Sequence, residues 1–220
     1  MFTTAELFDA AQVPAALQPL LEPTWPWEVL SALDTFLETL EPQHLGEVHP
    51  TAVLEDNVYL APTAKVGPHV YIKGPSWIGE GAELGHGAYV RGDVVLAPGS
   101  QVLHSSEVKH ALLLPGARLA HFNYVGDSVI GSRVNLGAGV KIANFKTFGD
   151  EIVIEGHKTG LRKFGAALGD GVSIGCNAVT SPGTLIGPRT LVYNGAMLRG
   201  VYPADSVIKY KQALETVPRR

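Results

Sequence analysis

The sequence predicts an all-β chain wound as a parallel β-solenoid, with short helical segments at its ends. Three observations predict it. An aliphatic residue recurs at each sixth position from Val48 through Leu54, Leu60, Val66, Ile72, Ile78, Leu84, Val90, Leu96, Val102 and Val108 to Leu114. Four positions after most of these stands a small residue or Val, as at Ala52, Val58, Ala64, Val70 and Ala82. Gly or Pro often follows within two residues, as at Gly67, Gly79, Gly85 and Pro98. A period of six fits neither a 3.6-residue helix nor simple strand alternation. A solenoid with one hexad per flat side accounts for it. The aliphatic points inward, the small residue fits the corner, and Gly or Pro serves the turn. Three sides per coil give a triangular prism with 18 residues per turn.

The elements follow in order. Residues 1–46 are expected to be a helical N-terminal cap. "TAELFDAAQ" and "PWEVLSALDTFLETLE" read as helices, the first capped by Thr3 or Thr4 and the second with Pro26 near its start. Pro14, Pro19 and Pro23 make the stretch between them loop-like. The helices are expected to close the open end of the solenoid, as repeat proteins require, with an oligomer contact as the alternative. The prism is assigned to residues 47–204. Within it the beat weakens at Ala120, in "LAHFNYVGDSVIG", resumes at Tyr124, and continues at Ile130, Leu136 and Ile142. It then stops through "NFKTFGDEIVIEGHKTGLRKF". Ile142 and Leu168 are not separated by a multiple of six, so a loop near residues 145–163 must leave the prism. Long insertions from regular scaffolds are often functional. A last run follows at Leu168, Ile174, Thr180, Ile186, Val192 and Leu198, and residues 205–220 are expected to be a helical tail.

Composition narrows the function. The net charge of −4 argues against general affinity for nucleic acid. Charged residues at 17%, aromatics at 8% and 25 glycines suit a repetitive β architecture better than a helical bundle. The single cysteine, Cys176, forms no intramolecular disulfide, which makes a reducing compartment the default. The N-terminus does not read as a signal peptide and no apolar run approaches a membrane span. The expectation is a cytoplasmic protein with no membrane or nucleic-acid partner.

The coil length places Lys73, Arg91 and Lys109 one above another, 18 positions apart, each directly after an inward aliphatic. Stacked cations ~5 Å apart repel by about 3 kcal/mol at an effective dielectric of 20. Such a column suits phosphate binding better than stability; the alternative is a solvated face whose charges fan out. His86 and His104 are also 18 apart, but no carboxylate or third His shares their column at that spacing, so a solvated or packed pair is favoured over a metal site.

The residues that break step carry a resemblance. "EVKHALLLPGARLAHFNYVGDSVIGSRVNLGAGVKIAN" resembles the acetyltransferase domain of bifunctional sugar-1-phosphate nucleotidylyltransferase/glucosamine-1-phosphate acetyltransferases, and looks closest to the archaeal type. "KTGLRKFGAALGDGVSIG" and "PWEVL" are similar to neighbouring segments of that group. The resemblance implies a left-handed hand for the β-helix and a homotrimer with active sites between prisms. It puts the sugar-phosphate ligands on Arg91 and Lys109, the catalytic His on His121, and further sugar contacts on Tyr124, Asn135 and Asn144. Lys73 is a candidate addition to the phosphate site, and Cys176 aligns with a Ser of the donor side. Arg162 and Lys163 are candidates for the acceptor phosphate or the CoA pyrophosphate. Phe145 stands where the bacterial enzymes carry a Tyr. The nucleotidyltransferase domain has no counterpart in the sequence, so nucleotidyl transfer is not expected.

The activity so implied is acetyl transfer from acetyl-CoA to the amine of glucosamine or galactosamine 1-phosphate, in sugar-nucleotide biosynthesis, with no metal required. An ammonium must lose its proton, which suits a His base, and the tetrahedral intermediate needs hydrogen-bond donors. Two alternatives remain open at this point. One is a zinc hydratase of the γ-carbonic-anhydrase type using His86, His104, His110 and His121. The other is a non-catalytic sugar-phosphate-binding protein.

Overall fold

The chain, described here for residues 1–211, 213 and 215–218 of a computed structural model, is a parallel β-helix of hexapeptide repeats. Short strands stack in parallel register on three faces. On the first face Leu54, Ile72, Val90, Val108, Val125, Ile142, Thr180 and Leu198 follow one another inward. On the second, Leu60, Ile78, Leu96, Leu113, Ile130, Leu168 and Ile186 do so. On the third, Val48, Val66, Leu84, Val102, Leu119, Leu136, Ile174, Val192 and Ile208 do so. Fully burying one such aliphatic side chain stabilises the fold by about 1.5–3 kcal/mol.

Two coils are one residue short, and the shortening is not where the sequence beat suggested. The deleted position lies at the corner between the first and second faces. There Gly92 and Asp93 turn one coil, but His110 alone turns the next and Asp127 alone the one after, both with positive φ. Glu107–Leu113 and Tyr124–Ile130 therefore run as continuous strands around the corner. The inward residues are Leu113 and Val125, not Leu114 and Tyr124. The run Leu112-Leu113-Leu114 hides the change of phase, because each register offers an aliphatic.

The second face is apolar on both sides. Val95, Leu112, Val129, Ala167 and Leu185 point outward from it and are buried under the N-terminal segment. That segment contains helix α1 (Thr4–Leu7), 3₁₀ turns at Ala10–Gln12 and Ala15–Leu21, and helix α2 (Val29–Glu38). Thr3 and Glu6 form a capping box on α1. Leu17, Val29, Leu33 and Leu37 face the prism. The expected end cap is thus corrected: the segment covers a flank, because the second face leaves an apolar strip that water would otherwise meet. Asp170 fastens it, accepting from the backbone N–H of Asp9 at 2.8 Å and of Ser132 at 2.7 Å.

The chain leaves the prism after Asn144 and rejoins it at Phe164, whose N–H donates to the Asn144 carbonyl at 3.1 Å. Val153–Ile154 and His157–Lys158 make an antiparallel hairpin within this excursion. The helical tail expected at 205–220 is corrected in part. Val207–Ile208 pair with Leu191–Val192 as a last rung, and no helix follows among the described residues. The apolar alternation of this segment serves a strand with an inward Ile208. Residues 212, 214, 219 and 220 lie outside the description, and that part of the expectation with them. Strand pairing also begins earlier than residue 47, at Gln43–His44.

Candidate functional site

The outward side of the first face forms a platform between two edges. Lys73 lies beside Arg91 in register, and the pairing of Val90 with Val108 sets Lys109 beside Arg91. The next position in this column is Gly126. A side chain there would meet the Tyr124 hydroxyl and the Asn144 amide, each 2.7 Å from the position of a Cβ. The glycine is the space in which those two groups approach, with the Tyr124 hydroxyl 3.4 Å from Asn144 Oδ1.

The cationic column is partly neutralised. Arg91 Nη1 donates to Glu107 Oε1 at 2.7 Å, and Lys109 Nζ lies 3.4 Å from Asp127 Oδ1. Among the described residues Lys73 makes no ion pair. The repulsion argued from spacing is thus relieved by one carboxylate for each of the two upper cations.

Sequence reasoning left Asp127 out of the site and considered His110 only under the zinc-hydratase alternative. Asp127 is buried, its side chain 3% exposed. It is held by His110 Nδ1 at 2.9 Å, by Lys109, and by a short hydrogen bond from Asn144 Nδ2. Burial alone would raise its pKa, but the hydrogen bonds from His110 and Asn144 and the charge of Lys109 hold it below the usual carboxylate range. Burial works against a charge on His110, yet the Asp127 hydrogen bond and the Asp34 and Asp127 charges raise its pKa. His110 Nε2 lies 3.1 Å from Asp34 Oδ1 of α2 without hydrogen-bond geometry, so that contact is ionic. Burial raises Asp34 in spite of the imidazole, which makes Asp127 the stronger partner. Burial, then the charges of Asp127 and Glu107, push the Tyr124 phenol up. The signal that could have found the pair is the coil length: one residue fewer at two successive corners leaves His110 and Asp127 stacked.

His121 lies at the other edge, between the third and first faces, and is exposed. Repeated backbone bonds place His86, His104, His121, Ala138, Cys176 and Asn194 in one column, for the N–H after each donates to the carbonyl one coil back. His121 is therefore the third histidine of the 86/104 column, which the strict spacing of 18 did not reveal because this coil is shorter. His86 and His104 stack with Nδ1 atoms 3.3 Å apart, and His104 packs on Phe122. Among the described residues no group of three or more His, Cys, Asp and Glu side chains is arranged to hold a metal. Asn135 points outward on the third face beside Arg118, so Tyr124 and Asn135 flank the His121 edge from two faces.

The site residues thus fall in three places. Arg91, Lys109, Tyr124 and Asn144 converge on the platform, with Lys73 one rung further. His121 and Asn135 stand at the open edge, and Cys176 is in the His121 column two coils on. Arg162 and Lys163 stand at the base of the excursion, beside the opposite edge. Arg162 Nε donates to the Gly149 carbonyl at 2.9 Å, while Lys163 lines a groove of about 640 Å³ with Trp27, Leu30, Asp34, His110 and Leu161. The three donor-side candidates are not brought together within one chain.

Residues 72–159 match a family model described as the GMPPB C-terminal domain. The bifunctional protein GlmU of Methanococcus vannielii is 36% identical over 217 residues, covering 86% of this chain and 46% of that protein. The bifunctional sugar-1-phosphate nucleotidylyltransferase/acetyltransferase of Sulfurisphaera tokodaii is 34% identical over 178 residues, covering 79% of this chain and 44% of that protein. The chain spans less than half the length of either. No described helix is long and apolar enough to cross a membrane.

Proposed function

From the premise that this chain is a homologue of the hexapeptide-repeat acetyltransferase part of the bifunctional sugar-1-phosphate nucleotidylyltransferase/acetyltransferases, we propose that it moves an acetyl group from acetyl-CoA to the amine of a hexosamine 1-phosphate. The observation that carries the reading is the convergence of Arg91, Lys109, Tyr124 and Asn144 on one face, beside the edge that presents His121. Arg91 and Lys109 hold the phosphate by charge-assisted hydrogen bonds, with Lys73 available one rung away. Tyr124, Asn135 and Asn144 orient the sugar. His121 takes the proton that the ammonium loses as nitrogen attacks the thioester. Its exposed ring is free to do so, whereas His110 has a carboxylate at each ring nitrogen.

An outward His on a prism edge has no second wall of its own. A neighbouring prism of a homotrimer supplies that wall in this reading, and Cys176, Arg162 and Lys163 contact the CoA across it. Light scattering on the active protein tests the assembly; a fully active monomer contradicts it. The reaction is tested by an amine-acceptor screen with acetyl-CoA, following released thiol. Turnover with a phosphorylated hexosamine supports the reading, and thiol release with no such acceptor overturns it.

A further inference from the structure

We infer that Asp127 is the positioning residue of the acceptor site, setting both the ammonium of Lys109 and the orientation of the Asn144 amide. The inference rests on the reading of this face as the acceptor site. Three observations carry it. The carboxylate is buried and receives Lys109 Nζ, His110 Nδ1 and Asn144 Nδ2 together. An ionised carboxylate only accepts hydrogen bonds, so it fixes which end of the Asn144 amide it meets. The NH₂ group meets Asp127, and Oδ1 is left toward the Tyr124 hydroxyl. The platform thereby gains an acceptor suited to an N–H or O–H of a sugar. The same carboxylate holds Lys109 beside Arg91, so the two cations face one anion at a fixed spacing.

The placement is built into the backbone. Asp127 turns a corner that lacks one residue, with φ of 47°, and His110 turns the equivalent corner one coil back, with φ of 43°. His110 braces the carboxylate from below and meets Asp34 of α2 on its other side. The flanking N-terminal segment is thus joined to the acceptor platform through two side chains. An Asn at position 127 could keep the shape but would present a donor where only acceptors fit, releasing Lys109 and permitting the Asn144 amide to turn over.

The experiment measures binding by calorimetry, and turnover, for hexosamine 1-phosphate and free hexosamine with wild type and Asp127→Asn. Melting curves run alongside. The expected result is about a 10- to 100-fold weaker affinity and higher KM for the phosphorylated sugar, a smaller loss for the free sugar, and an unchanged KM for acetyl-CoA. A lower melting point with both affinities unchanged, or equal losses for the two sugars, overturns the inference. Should Asp127→Asn not fold, Lys109→Ala, Asn144→Ala and their double variant decide: coupled losses support a shared carboxylate, and additive losses contradict it. Wild type that binds the sugar phosphate without turnover would refute acetyl transfer and leave this inference standing. Wild type that binds neither sugar overturns both.

Discussion

His110 Nδ1 lies 2.9 Å from Asp127 Oδ1, across two successive coils that are each one residue short. The contact has a definite pH signature. His110 has a folded pKa raised above its ordinary 6.5, so its contribution is fully present below that value and is lost as pH rises through the folded pKa. Asp127 has a folded pKa lowered below its ordinary 3.8, so its contribution is present above that value and is lost as pH falls through the folded pKa. The pair therefore stabilises most between about pH 4 and 6.5. His110→Gln should narrow its melting-point deficit against wild type as pH is raised from about 6 to 9. A deficit that does not change with pH would mean that the imidazole is neutral in the fold.

Thr180 occupies an inward position of the first face, between Ile142 and Leu198, and its buried hydroxyl has no hydrogen-bond partner among the described residues. Thr180→Val preserves the shape and removes the unmet polar group, so stability should rise by about 1 kcal/mol. Denaturant midpoints measure it; a loss of stability would show that the hydroxyl is bonded in solution.

Gly126→Ala should act on the platform and not on the core. The added methyl meets Tyr124 and Asn144, whose ends must shift. Acetyl transfer should fall by up to about 10²-fold, the scale for a 1 Å misplacement, while the inward column through Val125 keeps its packing. Unchanged kinetics would separate Tyr124 and Asn144 from the acceptor.

Arg91→Ala should weaken hexosamine 1-phosphate by about 1.5–3 kcal/mol, the worth of a charge-assisted hydrogen bond, and free hexosamine far less. Equal losses for the two sugars would assign Arg91 to its ion pair with Glu107 instead.

The prism was legible in the sequence because an inward aliphatic is demanded at each rung, and the basic column because coil length fixes what stacks. The shortened corners were not legible. Leu112, Leu113 and Leu114 fit either phase, so the eye met the slip only at Ala120, where no residue is lost. The same error hid His121 from the column of His86 and His104, and hid Asp127 altogether. The docking of the N-terminal segment was present in the continuous apolar runs of the second face, such as Val94-Val95-Leu96, where two buried sides leave no alternation to read. The tail misled because Val207 and Ile208 lie in a stretch whose composition also suits a helix.

The most direct test of the account is steady-state acetyl transfer by wild type and His121→Ala, from roughly pH 6 to 9, with a melting curve as control. His121 is exposed at an edge, so the melting point should be nearly unchanged. Turnover should fall by about 10²–10⁴, the range for a positioned acid–base group. The acceptor affinity should change much less, because Arg91 and Lys109 remain, and the residual rate should climb with pH as more acceptor arrives already deprotonated. Wild-type turnover in the variant would make His121 a structural corner residue and contradict the mechanism.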